Sequence, residues 1–140
     1  MRVGVLCSRL RVEEKLIFQA LRQRGVEVER IDANGITLGL SETINDYDVV
    51  LIRCLSHSRA LYASKLLGAG GLPTVNTYEV IATSGDKLLT SLALAKRGVP
   101  TPRTKVAFTP RAALQAIEQM GYPVVLKPLN GSWGRLLAKI

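Results

Sequence analysis

Tyr122-Pro123-Val124-Val125-Leu126-Lys127-Pro128, followed within three residues by Gly131-Ser132-Trp133-Gly134-Arg135, decides how this 140-residue chain is read. Val124 to Lys127 is a short run opening on two β-branched valines and set between two prolines, and prolines delimit a strand because they cannot donate to its ladder. The pattern predicts a short strand ending in one lysine, then a turn with two glycines. A strand holds an ammonium in place, Gly131 and Gly134 let backbone N–H groups close on oxygens, and Ser132 adds a hydroxyl donor. A fixed cation beside an adaptable backbone suits phosphate. An ordinary hairpin with incidental glycines and a solvated Lys127 produces the same local pattern, so this segment alone leaves both readings open.

A second lysine lies upstream. Ser84-Gly85-Asp86-Lys87 opens an apolar-periodic run, Leu88, Leu89, Leu92, Ala93 and Ala95, which stops at Gly98 before Pro100 and Pro102. With Ser84 as N-cap and Gly98 just past the end, Lys87 falls in the first helical turn. The helix macrodipole favours carboxylates there, as Asp86 supplies, so a lysine at that place suggests a compensating external anion. Loose pairing with Asp86 in solvent is the plainer alternative. A further helix is expected from Pro110 to Met120.

The first eighty residues read as a separate unit. Arg2 to Cys7 is a short apolar run, Val12 to Leu21 has helical spacing, and Val26 to Ile31 alternates like a strand after Gly25, giving a β-α-β opening. Asp48 to Arg53 is a further strand, followed by a helix from Ser58 to Leu67 and a short strand over Leu72 to Val75. Residues 32–47 are expected to be an exposed connection with one helical turn near Ser41. Strands alternating with helices imply a parallel sheet covered on both faces.

Ligands of such a sheet lie beyond the carboxyl ends of its strands, where Cys7-Ser8-Arg9 and Arg53-Cys54-Leu-Ser56-His57-Ser58 are expected. Arg9, Arg53 and His57 are therefore candidates to hold a substrate carboxylate, with helix capping or solvation as the alternative. His57 is the only histidine, which leaves little material for a histidine metal cluster or a Ser-His-Asp relay. The first βα turn lacks Gly-x-Gly-x-x-Gly, against a dinucleotide there. Cys7 and Cys54, both at strand ends, read as small buried thiols. The net charge of +8 is spread over the chain and would steer an acidic macromolecule, whereas aromatics at 5% argue against nucleic-acid recognition by stacking. With no signal peptide or spanning segment visible, the expectations are a cytoplasmic location and no membrane partner.

The order Asp86-Lys87, Gly98-Val-Pro-Thr-Pro102, a helix over 110–120, Gly121-Tyr-Pro-Val-Val-Leu-Lys127-Pro and a glycine loop resembles the ATP-grasp superfamily of carboxylate-amine ligases. Gly131-Ser-Trp-Gly-Arg135-Leu-Leu-Ala138 is most similar to the RimK-like branch that includes the lysine-biosynthesis ligases. The resemblance implies an α/β fold: a Rossmann-like pre-ATP-grasp parallel sheet over residues 1–82, then the first half of an ATP-grasp fold, a small α+β subdomain, over 83–140. The C-terminal subdomain would lie outside this chain, which is expected to be part of a longer polypeptide and inactive alone.

The resemblance further implies that Lys87 and Lys127 contact ATP, with Lys127 catalytic, and that Gly131, Ser132, Trp133, Gly134, Arg135, Leu136 and Leu137 form the lid over its phosphates. Mg²⁺ is implied too, its ligands expected downstream of Ile140 and none within the chain. Many relatives carry a third glycine where Leu136 stands, so this lid is expected to be stiffer. Trp133 is expected either to shield the phosphates or to pack on a neighbouring surface.

The implied reaction activates a carboxylate as an acyl-phosphate and joins it to an amine, here α-aminoadipate onto the C-terminal glutamate of a small acidic carrier protein, and a homo-oligomer is expected. A RimK-like ligase with another amino acid, such as a glutamate-adding modifier of a ribosomal protein, and a non-catalytic nucleotide-binding module are the alternatives.

Overall fold

The computed structural model describes residues 1–40, 42, 44–131 and 134–140, and the chain divides into two compact units, Met1–Ala82 and Thr83–Ile140. The first unit contains β1 (Arg2–Cys7), α1 (Val12–Gln23), β2 (Glu27–Asp32), β3 (Val49–Ile52), α2 (His57–Ala69) and β4 (Thr74–Val75), and the division between the units falls inside α3 (Tyr78–Gly85). The strands form one parallel sheet in the order β2-β1-β3-β4, with Val3 opposite both Val28 and Val49, and Leu6 opposite both Ile31 and Ile52. Side chains alternate across a strand, so β1 feeds two cores. Val3, Val5 and Cys7 pack with Phe18 of α1 and Val28, while Leu6 joins Val50, Ala63, Leu67 and Leu72 on the other. Each such aliphatic burial stabilises by about 1.5–3 kcal/mol, which accounts for a sheet sandwiched between layers.

Two expectations for this unit are corrected. The connection after β2 is not simply exposed: Ala33 is buried, and Ile36, Leu38, Ile44 and Tyr47 pack against the second core, because the apolar residues scattered along it can cover the open face of the sheet. The helical turn expected near Ser41 lies outside the described residues. Of the two thiols, Cys7 is fully buried and Cys54 only partly so; both are free, and burial pushes each of them up from the ordinary thiol range.

The second unit contains α4 (Lys87–Lys96), α5 (Pro110–Met120), β5 (Val125–Leu126) and β6 (Ala138–Lys139). The N-cap of α4 is Asp86, not Ser84: its carboxylate accepts from the backbone N–H groups of Leu88 (2.7 Å) and Leu89 (3.0 Å), while Ser84 belongs to α3. Lys87 is thereby the first residue of the helix. At the far end Gly98 takes φ +66°, and the N–H groups of Gly98 and Val99 return to the carbonyls of Ala95 and Leu94, a Schellman closure that a left-handed glycine allows without strain. Thr109 caps α5 through Ala112 N–H at 3.1 Å, with Pro110 at the first position, where its missing N–H costs nothing.

β5 and β6 pair antiparallel, Val125 with Lys139 and Leu126 with Ala138, and reciprocal 2.9 Å bonds between Val124 and Ile140 extend the ladder. Among the described hydrophobics of this unit only Ile117 and Val124 are buried, whereas Leu92, Phe108, Leu114 and Leu136 are each more than half exposed. No helix of the described residues is long and apolar enough to cross a membrane.

Candidate functional site

In the second unit the site is assembled from the hairpin and the start of α4. β5 ends at Leu126 and delivers Lys127 directly after the paired residues, with its side chain exposed. The chain then enters the glycine loop, and Lys87 reaches that loop twice. Its backbone N–H donates to the carbonyl of Leu129 at 3.0 Å, and its Nζ donates to the carbonyl of Gly131 at 2.9 Å, with Leu129 O a weaker second acceptor at 3.5 Å. The cation in the first turn of α4 thus has a partner of its own, the backbone oxygens of the loop. The segment that Lys87 grips begins two residues after Lys127, so both lysines bear on one short stretch of chain.

Within the loop Gly131 and Gly134 have φ of +134° and +67°, conformations that L side chains rarely adopt. Arg135 and Leu136 are exposed, and Leu137 half so, its N–H reaching Gly134 O at 3.4 Å. Leu136 itself is left-handed at φ +59°. Ser132 and Trp133 lie outside the described residues. Arg103 and Lys105 tie the extended segment before α5 back to Met120 O and Gln119 Oε1.

The first unit offers a second place. In the strand order β2-β1-β3-β4, β1 leads by way of α1 to β2 on one side and β3 by way of α2 to β4 on the other, so the topological switch point lies between β1 and β3. An ion cluster is built from residues of that edge. Glu14 of α1 is fully buried and accepts from Arg11 Nε (2.9 Å) and NH2 (2.7 Å), from Arg53 Nε (3.0 Å) and NH2 (2.9 Å), and from the Arg11 backbone N–H (3.2 Å). Donation from Arg11 first, opposed by burial and helped by Arg53, holds its carboxyl down to about 2. Two guanidiniums share this carboxylate, and a second one, Glu13, lies 3.9 Å from Arg11 Nε.

Arg53 therefore has the Nε–NH2 edge that would grip a ligand carboxylate occupied by a protein carboxylate. Arg9 and His57 are exposed, His57 as the first residue of α2 after its cap Ser56. Neither Glu14 nor Arg59, whose NH1 donates to Asn34 Oδ1 at 2.7 Å, is a site residue by sequence reasoning. The one signal for Glu14 is its spacing: a glutamate three residues after a helix-entry residue can reach back to that residue's N–H.

The residues present suit a phosphate ligand: one exposed lysine, one lysine at a helix start, and a loop whose glycines permit close approach. Among the described residues no group of three or more His, Cys, Asp or Glu is placed to hold a metal.

Residues 3–83 match the family described as LysX preATP-grasp domain, and residues 84–139 match the RimK-like ATP-grasp domain. The chain is 42% identical over 140 residues to a protein of Sulfurisphaera tokodaii named Glutamate--LysW ligase ArgX, covering all of this chain and 50% of that protein. It is 37% identical over 131 residues to the Alpha-aminoadipate--LysW ligase LysX of Saccharolobus solfataricus, covering 92% of this chain and 48% of that one. The crystal structure of a RimK domain ATP-grasp protein from Sphaerobacter thermophilus superposes with a TM-score of 0.85 at 32% identity, over 99% of this chain and 54% of that chain. The chain spans about half the length of these relatives.

Proposed function

The chain belongs to the LysX preATP-grasp domain family, and from that membership we propose that its second unit holds the phosphates of ATP for a ligase that joins an amino acid to a small carrier protein. The observation that carries this reading is the grip of Lys87 on the loop that Lys127 opens, because it collects two cations and a glycine backbone on one stretch of chain.

Lys127, exposed at the strand exit, acts as a point charge on a phosphate, offsetting negative charge there without needing to move far. The loop from Gly131 to Leu137 covers the phosphates and keeps water away. When bound, ATP supplies the activation of a carboxylate as an acyl-phosphate.

For the amino acid, we infer α-aminoadipate or glutamate. α-Aminoadipate is the substrate implied by the resemblance to the lysine-biosynthesis ligases. Glutamate is favoured by the higher identity to the relative named for it, 42% against 37%. The two acids differ by one methylene, which a pocket discriminates by only about 1–3 kcal/mol, so both merit testing. The net charge of +8 supports an acidic carrier, whose association would weaken as salt rises. The experiment is to supply the full-length protein with ATP·Mg²⁺, a LysW-type carrier and each amino acid in turn, and to follow ADP release and the carrier's mass. ADP formed only when carrier and one amino acid are both present, with the matching mass gain, is the expected result. A carrier of unchanged mass with both acids would refute the reading.

A further inference from the structure

Lys87 and Lys127 stand differently in the second unit. Lys127 is exposed after β5, whereas Lys87 is partly buried and directs its ammonium at the loop's own backbone, 2.9 Å from Gly131 O and 3.5 Å from Leu129 O, while its N–H holds Leu129 O at 3.0 Å. These partners lie 42 and 44 residues along the chain, so the contacts are tertiary. The carbonyls concerned, of Leu129 and Gly131, sit between β5 and β6 and belong to no helix or strand that would satisfy them. A bond from an ammonium to a carbonyl is charge-assisted and roughly twice as strong as a neutral one.

We propose that Lys87 is a positioning residue that anchors the glycine loop to the start of α4, independently of any nucleotide. The anchor fixes the near end of the loop, Leu129 to Gly131, while its far end, Gly134 to Leu137, runs into β6. An ammonium has three N–H donors, and the two carbonyls take two of them. Among the described residues no further acceptor meets the third, which can reach a phosphate oxygen, so that Lys87 joins the loop to the ligand that the loop covers. This second half rests on the nucleotide reading given above; the anchor does not.

The test is amide hydrogen exchange by mass spectrometry on the nucleotide-free full-length protein, comparing wild type with Lys87→Met, Lys87→Arg and Lys127→Met. Lys87→Met is expected to speed exchange of peptides covering Val124–Ile140, the loop together with the β5–β6 ladder that carries its protected amides, on the order of tenfold, the scale of one lost charge-assisted bond. Lys87→Arg, which keeps donors within reach, should restore most of the protection, and Lys127→Met should leave it unchanged. Amides of α4 are read in the same samples. Protection kept in α4 but lost in the loop supports the anchor; equal loss in both overturns it, because Lys87 would then act only through its helix. Loop exchange in Lys87→Met at the wild-type rate also overturns it, as does an equal rise in Lys127→Met. A separate arm adds ATP·Mg²⁺ to wild type: extra protection in the loop supports the bridge to phosphate, and none refutes the bridge and the nucleotide reading while the nucleotide-free comparison still decides the anchor.

Discussion

Arg53 at the exit of β3 is held by Glu14 in the first turn of α1, with its Nε and NH2 donating to one carboxylate oxygen at 3.0 and 2.9 Å. The pair joins α1 to the chain leaving β3 across 39 residues of sequence, and Arg11 closes the other side of the same carboxylate. Replacing Glu14 by Gln leaves two guanidiniums with no charge between them. Fully buried pairs lose about 3–5 kcal/mol when one partner is removed; here both guanidiniums reach solvent, so a loss of about 2 kcal/mol is expected. Urea unfolding followed by circular dichroism measures it, and a loss of only a few tenths would show that the cluster is dispensable.

The same carboxylate sets an acid limit. Its folded value is depressed to about 2 from the ordinary 4.5, so its contribution is fully present above pH 4.5 and disappears as pH falls toward 2. Wild-type stability should therefore fall more steeply across that window than that of Glu14→Gln. Parallel curves for the two proteins would contradict the assignment.

Leu136 occupies the left-handed region at φ +59° with its side chain 84% exposed, so little packing compensates the Cβ strain. Leu136→Gly removes that strain at the cost of a freer unfolded chain, for a net gain of about 0.5–1 kcal/mol. Chemical denaturation of the full-length protein checks the sign, and the destabilisation usual for a new glycine would mean that the backbone is not strained there.

The alternating strands and helices of the first unit were legible because apolar periodicity reports burial directly, and α5 because Thr109-Pro110 and Gly121 mark its ends. α3 was not: Tyr78–Gly85 has apolar residues in an unbroken run, and Ser84-Gly85 resembles a helix start when it closes one. β6 was hidden as well, since Ala138-Lys139 has little strand propensity and exists through pairing with Val125-Leu126. In the site, the prolines around Val124–Lys127 exposed the strand-end lysine. The partners of Lys87 and Arg53 were beyond reach, because contacts 44 and 39 residues apart leave no local pattern.

The second unit buries only Ile117 and Val124 among its described hydrophobics. A domain below about 60 residues is marginal even with a full core. Residues 83–140 expressed alone should therefore show no cooperative thermal transition by circular dichroism, while residues 1–82 should. A sharp transition in the shorter piece would show that the contacts within it suffice.

Isothermal titration of ATP·Mg²⁺ into the full-length protein, wild type against Lys127→Ala, bears most directly on the claim that this hairpin and loop hold a triphosphate. Loss of one charge-assisted phosphate contact should weaken binding about tenfold or more. Equal affinities for the two proteins would contradict the account.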